Sequence, residues 1–256
     1  MNNSFFIWLN VINAILIRDV KIRSGLYYIG YIFIFLMPFF HLIILNIAFD
    51  LLGRSTPFGL NRFAYFGISI LPFVIFIYPS QQIMRSLSSN IPLLYFSRVK
   101  LIDIIFARGA LEFLNGISVC VFIALILNFF AFDFQPERPF NFLIALIATL
   151  YFGFAMGAIN ATISQIFPMW MYVIIVLYPA IWLSSGIIFF PHAVPDMYKI
   201  FLRLNPMLGC IEYARYSYFF DYPSEFADLK PALFSGSIIL SVTFFIDRVW
   251  RRILIT

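Results

Sequence analysis

The chain is patterned as long apolar runs with few or no charges, separated by more polar stretches. The first run, 26–49, holds no Asp, Glu, Lys or Arg, and further runs follow at 63–80, 104–132, 142–163, 167–190 and 231–248. A helix needs about 20 apolar residues to cross a bilayer; each run reaches or nears that length, the second and last with help from their flanks. No period-two alternation competes with the helical reading. The pattern predicts an all-α integral membrane protein, a single domain of six transmembrane helices, because helices satisfy their own backbone groups in lipid.

Three stretches fall outside the spans. Residues 4–23 are apolar with a thin stripe of Asn10, Asn13 and Lys21 at helical spacing. That predicts an interfacial helix with Phe5, Phe6 and Trp8 sunk into the membrane surface, against a tilted seventh span as the competing reading. Residues 81–103 are too polar to cross. Through Ile91, Pro92, Leu93, Leu94, Tyr95 and Phe96 they are also too apolar for a plain linker. A short helix seated in a partner's groove and a second interfacial helix both satisfy that composition. Residues 191–230 hold two short amphipathic segments, 196–204 and 207–220, split by Asn205-Pro206. Neither can span alone, so both are expected to lie at the interface or dip in and return, as two short re-entrant helices between spans five and six. Asn205 suits an N-cap, and Pro206 a first helical position whose amide has no partner to lose.

Composition supports the membrane assignment. Of 256 residues, 62% are hydrophobic and 11% charged, leaving too little polar surface to cover a soluble domain of this size. The net charge of +5 matters through its distribution, since Lys and Arg set orientation. With both termini in the cytoplasm, ten of the 17 basic residues fall inside: Arg18, Lys21, Arg23, Arg85, Arg98, Lys100, Arg108, Arg248, Arg251 and Arg252. The acidic residues Asp133, Glu137, Asp196, Glu212, Asp221, Glu225 and Asp228 then gather outside. No basic block suits nucleic acid. The N-terminal apolar run precedes its basic residues, so a signal peptide is not expected. Cys120 sits inside a span and Cys210 in the loop after the fifth, so no disulfide is expected.

Candidate chemistry is sparse. Gly25-x4-Gly30 lacks the lysine and hydroxyl of a phosphate-binding loop, so this chain is expected to bind no nucleotide and to need an external engine. His41 and His192 are the only histidines, and no zinc-protease or nucleophile-elbow motif occurs, so catalytic, cofactor and metal sites are expected to be absent. Arg108 and Glu112 are four residues apart, one turn into the third span, and can pair on one helix face as a structural latch or gate. A proton relay is the alternative. His41 stands alone in mid-span beside Pro38, where a buried hydrogen-bonded histidine is the ordinary explanation. Gly153, Gly157 and Ala161 put small residues on one face of the fourth span, permitting close helix approach within the chain or between copies. Aromatics make up 20% of the residues, most of them explained by lipid and interface contact. Trp182 with Tyr213, Tyr216, Tyr218, Phe219 and Tyr222 could instead line a path, because aromatic faces hold sugar rings loosely.

Read in order, these pieces resemble the membrane subunit of ABC-2-type exporters. The carrying residues are Arg18-Asp19-Val20-Lys21-Ile22-Arg23, then Asn90-Ile91-Pro92-Leu93-Leu94 through Asp103 to Ala107-Arg108. Ser185-Gly186-Ile187, Leu204-Asn205-Pro206-Met207, Ile211-Glu212 and Arg215-Tyr216 complete the set. The resemblance is greatest to the permeases of capsular polysaccharide export, with O-antigen permeases next and drug or small-lipid exporters sharing the fold. A membrane enzyme of polysaccharide assembly is the reading from another class, and the loops offer it no convincing site. The resemblance implies a homodimer in the bacterial inner membrane with two copies of a separate ATPase, which alone binds ATP and Mg. It implies that the N-terminal helix and the 81–103 loop, with Ile91 to Phe96, dock on that ATPase. It also implies that a lipid-linked polysaccharide passes between the two permeases, with periplasmic and outer-membrane proteins carrying it onward.

Overall fold

The computed structural model describes residues 2–24, 29–57, 60–96, 99–129 and 135–254. Every regular element among them is helical. In chain order the α-helices are α1 (Asn2–Ser24), α2 (Ile29–Leu51), α3 (Arg62–Asn90), α4 (Leu101–Phe129), α5 (Pro139–Ile166), α6 (Trp170–Ser184), α7 (Asp196–Arg203), α8 (Pro206–Tyr218) and α9 (Lys230–Leu254). By length and composition, α3, α4, α5 and α9 are long and apolar enough to cross a membrane. The apolar stretches Phe35–Leu51 of α2 and Trp170–Ser184 of α6 are shorter.

α3 is the axis of the bundle. It is apolar on every side, with Phe66, Ile68, Leu71 and Phe76 shut away from solvent, and a helix hydrophobic all round belongs in the interior. It packs along α5, α4, α8 and α2. Small residues on α5 make the closest approach possible. A Cβ on Gly153 would stand 2.7 Å from the Phe76 carbonyl oxygen, and one on Gly157 only 2.9 Å from Ile83 Cβ. The glycine face of the fourth span is therefore spent on α3 within the chain.

Two boundaries differ from the sequence expectation. The stretch 81–103 is not a loop throughout: α3 continues to Asn90, and a single 3-10 turn, Ile91–Tyr95, bridges towards α4. The added turns are held because Ile83, Leu87 and Asn90, at helical spacing, are all buried. The apolar run 167–190 yields a helix only over Trp170–Ser184, about 22 Å at 1.5 Å per residue. Beyond it Gly186 adopts φ +80°, which glycine reaches without a Cβ penalty. The turn exposes two carbonyls that a distant arginine takes up. Residues 26–28 and 130–132, expected at the ends of the first and third spans, lie outside the described residues, as do Arg98 and the side chains of Phe5 and Ile91.

The two short segments after α6 have opposite fates. α8 starts as expected: Asn205 Oδ1 accepts from the Met207 and Leu208 amides at 3.0 and 3.3 Å. Its Nδ2 donates to the Ser184 carbonyl at 2.9 Å, tying α8 to the end of α6. Most of α8 is buried, whereas no residue of α7 is.

Candidate functional site

Two charged clusters and one open groove carry the polar chemistry of the bundle. The first cluster gathers where α1, α3 and α4 meet. Arg108 Nη2 lies 2.8 Å from Glu112 Oε1, the expected pair, and also donates to Gln82 Oε1 at 2.9 Å. Its Nη1 lies 3.5 Å from Asp19 Oδ2 on α1. Asp19 Oδ1 accepts from Asn90 Nδ2 at 3.3 Å, and Asn90 Oδ1 accepts from Arg18 Nη1 at 2.7 Å. Glu112 Oε2 takes a further bond from Asn115 at 3.1 Å. A second tie runs from Trp8 Nε1 to Asp103 Oδ1 at 3.0 Å. The N-terminal helix is thus bonded to both helices that flank the 3-10 turn. Asp19, Asn90, Arg108 and Glu112 are buried, where each bond counts for more than in water.

The turn itself has two sides. Leu93 and Leu94 pack on the apolar cluster of Ile15, Ile83, Leu87 and Ile104. Tyr95 and Phe96 project outward, 87% and 64% exposed, and Pro92 is also exposed. The described candidate docking residues therefore separate into an inner pair, Leu93 and Leu94, that holds the turn, and an exposed face of Pro92, Tyr95 and Phe96.

The second cluster centres on Arg215 of α8, which is completely buried. Its Nη1 donates to Glu212 Oε1 at 2.6 Å, its Nε to Ser69 Oγ at 2.8 Å, and its Nη2 to the Gly186 and Ile187 carbonyls at 2.9 and 3.2 Å. The guanidinium lies 4.1 Å from the centroid of the Tyr65 ring. Tyr222 Oη donates to the Glu212 carboxylate at 3.2 Å. One arginine thereby joins α8, α3 and the turn after α6. His192 stands against this cluster, Nδ1 3.9 Å from Glu212 Oε2, enclosed by the rings of Phe190, Phe226 and Tyr222. Both its ring nitrogens are buried without a hydrogen-bond partner among the described residues. Burial holds its pKa below the usual histidine value, with Glu212 and then Glu225 pulling the other way.

The aromatic residues singled out by sequence do not form one surface. Tyr218, Phe219 and Tyr222 are buried in the core. Tyr213 and Tyr216 are half-buried, edge to face at 6.2 Å, and the Arg138 guanidinium sits 4.3 Å over the Tyr216 ring. Trp182 is elsewhere, in the wall of a groove of about 600 Å3 between α2, α3 and α6 that no α8 residue lines. His41 is in the same wall, its ring 5.3 Å from that of Trp182, and it has no hydrogen-bond partner among the described residues. The buried, bonded histidine expected from sequence is not what stands there. Cys120 and Cys210 are both free thiols.

Sequence reasoning named Asp19, Asn90, Glu212 and Arg215 only among the residues that carry the resemblance and did not pair them; it missed Gln82 and Asn115 in the first cluster and Ser69 and Tyr65 in the second. The Glu212–Arg215 spacing of three residues carried a signal; the others are ordinary polar residues until the helices pack.

No protein-family model matches this chain. Relatives do. Polysialic acid transport protein KpsM of Escherichia coli is 26% identical over 219 residues, covering 86% of this chain and 85% of that protein. Capsule polysaccharide export inner-membrane protein BexB of Haemophilus influenzae is 29% identical over 216 residues, 82% and 80% of the two chains. Capsule polysaccharide export inner-membrane protein CtrC of Neisseria meningitidis serogroup A is 26% identical over 222 residues, 85% and 82%. The resemblance carried by the motifs thus extends along the molecule: over more than four-fifths of its length this chain is similar to a polysialic acid transport protein and to two inner-membrane proteins of capsule polysaccharide export.

Proposed function

We propose that this chain is the transmembrane subunit of an ATP-driven ABC exporter that moves lipid-linked capsular polysaccharide across the bacterial inner membrane. The observation that carries the reading is the similarity, over 82–86% of the chain, to a polysialic acid transport protein and two capsule polysaccharide export inner-membrane proteins. The chain works in this reading as a homodimer with two copies of a separate ATPase, and periplasmic and outer-membrane proteins receive the polymer. Both termini are cytoplasmic, α2, α3, α4, α5, α6 and α9 are the six spans, and α7 and α8 re-enter from the periplasmic side. The excess of basic residues on the inner side supports that orientation.

The mechanism follows from where the bonds run. Tyr95 and Phe96, on the exposed side of the 3-10 turn, are the contact with the ATPase. Closure of the ATPase pushes the turn, and Leu93 and Leu94 pass the push to α1, α3 and α4. The Arg108–Glu112 pair, tied to α1 through Asp19, holds the inner gate until that push arrives. Trp182, Tyr213 and Tyr216, the aromatics of the expected path that are not sealed in the core, contact the polymer. Among the described residues, no charged side chain stands in the apolar middle of the spans to exploit an ion gradient, which supports an external ATP engine.

The test is the fate of the surface polysaccharide after deletion of the chain. Polymer that leaves the surface and accumulates inside is the expected outcome. Polymer missing from both fractions, with precursor synthesis intact, would point to an enzyme of assembly. An unchanged surface with new sensitivity to toxic compounds would give the lead to a drug or small-lipid exporter.

A further inference from the structure

The groove between α2, α3 and α6 holds polar groups that the bundle leaves unused. His41 lies near the middle of α2, three residues after Pro38, on a helix otherwise almost wholly apolar. Neither it nor Gln81, at the α3 edge of the same groove, has a hydrogen-bond partner among the described residues. The indole N–H of Trp182, against which the His41 ring leans, is buried and has no acceptor among the described residues. Leaving a buried donor unpaired is costly, and such groups are uncommon in folded proteins. Their neighbour Tyr178 shows what satisfaction looks like here: its hydroxyl is 2.6 Å from Ser80 Oγ.

Two unused polar groups, His41 and Gln81, beside an indole argue against lipid as the occupant. Acyl chains would offer them no partner, and polar side chains within spans face cavities or paths. The volume of about 600 Å3 suits a small-molecule-sized unit, since binding sites commonly run about 300–1,000 Å3. No Asp, Glu, Lys or Arg lines the groove. It therefore offers aromatic faces and neutral hydrogen-bonding groups without a charge to anchor a ligand tightly. That chemistry fits a sugar ring, with an apolar face for the indole and hydroxyls for His41 and Gln81. Loose holding also suits a unit that must move on.

Resting on the function proposed above, we infer that His41, Gln81 and Trp182 form a sugar-contact station on the polymer path, in the α2–α3–α6 wall and separate from the α8 tyrosines. The occupant is a sugar unit of the exported polymer. Its apolar face stacks on the Trp182 ring.

The experiment places single cysteines in a Cys120→Ala, Cys210→Ala background. Inner-membrane vesicles, with polymer synthesis running or blocked, are treated with a charged methanethiosulfonate reagent. His41→Cys is compared with Ile117→Cys, an exposed mid-span position on α4. Thiols react as thiolates, which need water, so His41→Cys should label at least about tenfold faster than Ile117→Cys and slow when polymer is loaded. In parallel, Trp182→Ala should lower export by about three- to tenfold at equal permease abundance, the size of one lost stacking contact, and Trp182→Tyr should restore most of it. Three results overturn the inference: labelling no faster than Ile117→Cys, which puts the groove in lipid; a disulfide between two His41→Cys copies, which makes it a subunit contact; or labelling indifferent to polymer with Trp182→Ala exporting normally. If deletion of the chain fails to trap polymer, the function proposed above falls instead.

Discussion

Two Arg–Glu pairs sit at different places in this bundle, and their difference is instructive. Arg215 and Glu212 are both completely sealed, and the arginine uses Nε, Nη1 and Nη2 together, on a carboxylate, a serine hydroxyl and two carbonyls. Arg108 and Glu112 are nearly as buried, but Arg108 Nε is left without a partner and the reach to Asp19 is 3.5 Å. A network with every member satisfied is rigid, while a partly satisfied one has alternatives close in energy. The first pair therefore reads as a lock that builds the fold of α8, and the second as a latch that can re-pair. What each joins agrees. The lock ties α8 and α3 to the turn after α6, whereas the latch ties the three helices around the exposed turn of Tyr95 and Phe96.

The comparison can be broken most directly at the lock. Arg215→Met leaves the Glu212 charge buried and unpaired, a loss of about 3–5 kcal/mol for a pair of this kind. The chain should then fail to accumulate in membranes, read by immunoblot and by thermal melting in detergent. Adding Glu212→Leu should recover part of the loss, because the orphaned charge goes with it. Arg108→Met should cost less, about 1.5–3 kcal/mol, so that protein accumulates while polymer export stops. Equal loss of protein from both variants would erase the distinction between lock and latch.

Finer changes sharpen it. Asp19→Asn removes only the charge that α1 offers to Arg108 and should cost about 1 kcal/mol or less, visible as faster amide exchange in α1 with α8 unchanged. Acid should reach the lock through His192. Its folded pKa lies below its unfolded value, so between the two the unfolded chain binds more protons and stability rises with pH. The contribution of neutral His192 is complete above the unfolded value and is lost as pH falls through that window. The melting temperature should drop on acidification below about pH 6.5, and His192→Phe should flatten that part of the slope. Smallest in stability is Tyr95→Ser with Phe96→Ser, within about 0.5 kcal/mol for exposed positions, yet it should reduce recovery of the ATPase with the permease. Leu93→Asp with Leu94→Asp is a poorer test of docking, since both side chains pack on Ile15 and Ile83 and their loss would unseat the turn.

Local chemistry was legible where one helix suffices to decide it. Asn205-Pro206 marks the start of α8 because cap and first turn are neighbours in sequence, and Arg108 meets Glu112 because four residues make one helical turn. The groove was half legible: Trp182 was picked out as an aromatic, but with Tyr218 and Tyr222, which packing removes from any surface. Aromatic rings serve core and path alike, so composition cannot separate them. His41 was read by the ordinary rule for a lone histidine, and the absence of a neighbouring donor or acceptor is a property of α3 and α6, not of α2.

The sequence by itself determined that this chain is helical and belongs in a membrane, roughly where its apolar runs lie, and which exporters it resembles, because burying charge-free runs of about 20 residues admits few alternatives. Only the tertiary structure decided that α3 is the buried axis, that the glycines of α5 serve it, that α6 stops at Ser184 and that Asp19 and Asn90 join the Arg108 latch. Those outcomes rest on partners well separated in sequence, 21 residues for Asn205 with Ser184 and 71 for Asn90 with Asp19. A local pattern carries no record of which distant group will complete a hydrogen bond, and in a buried interior that completion helps settle where a helix ends and what it holds.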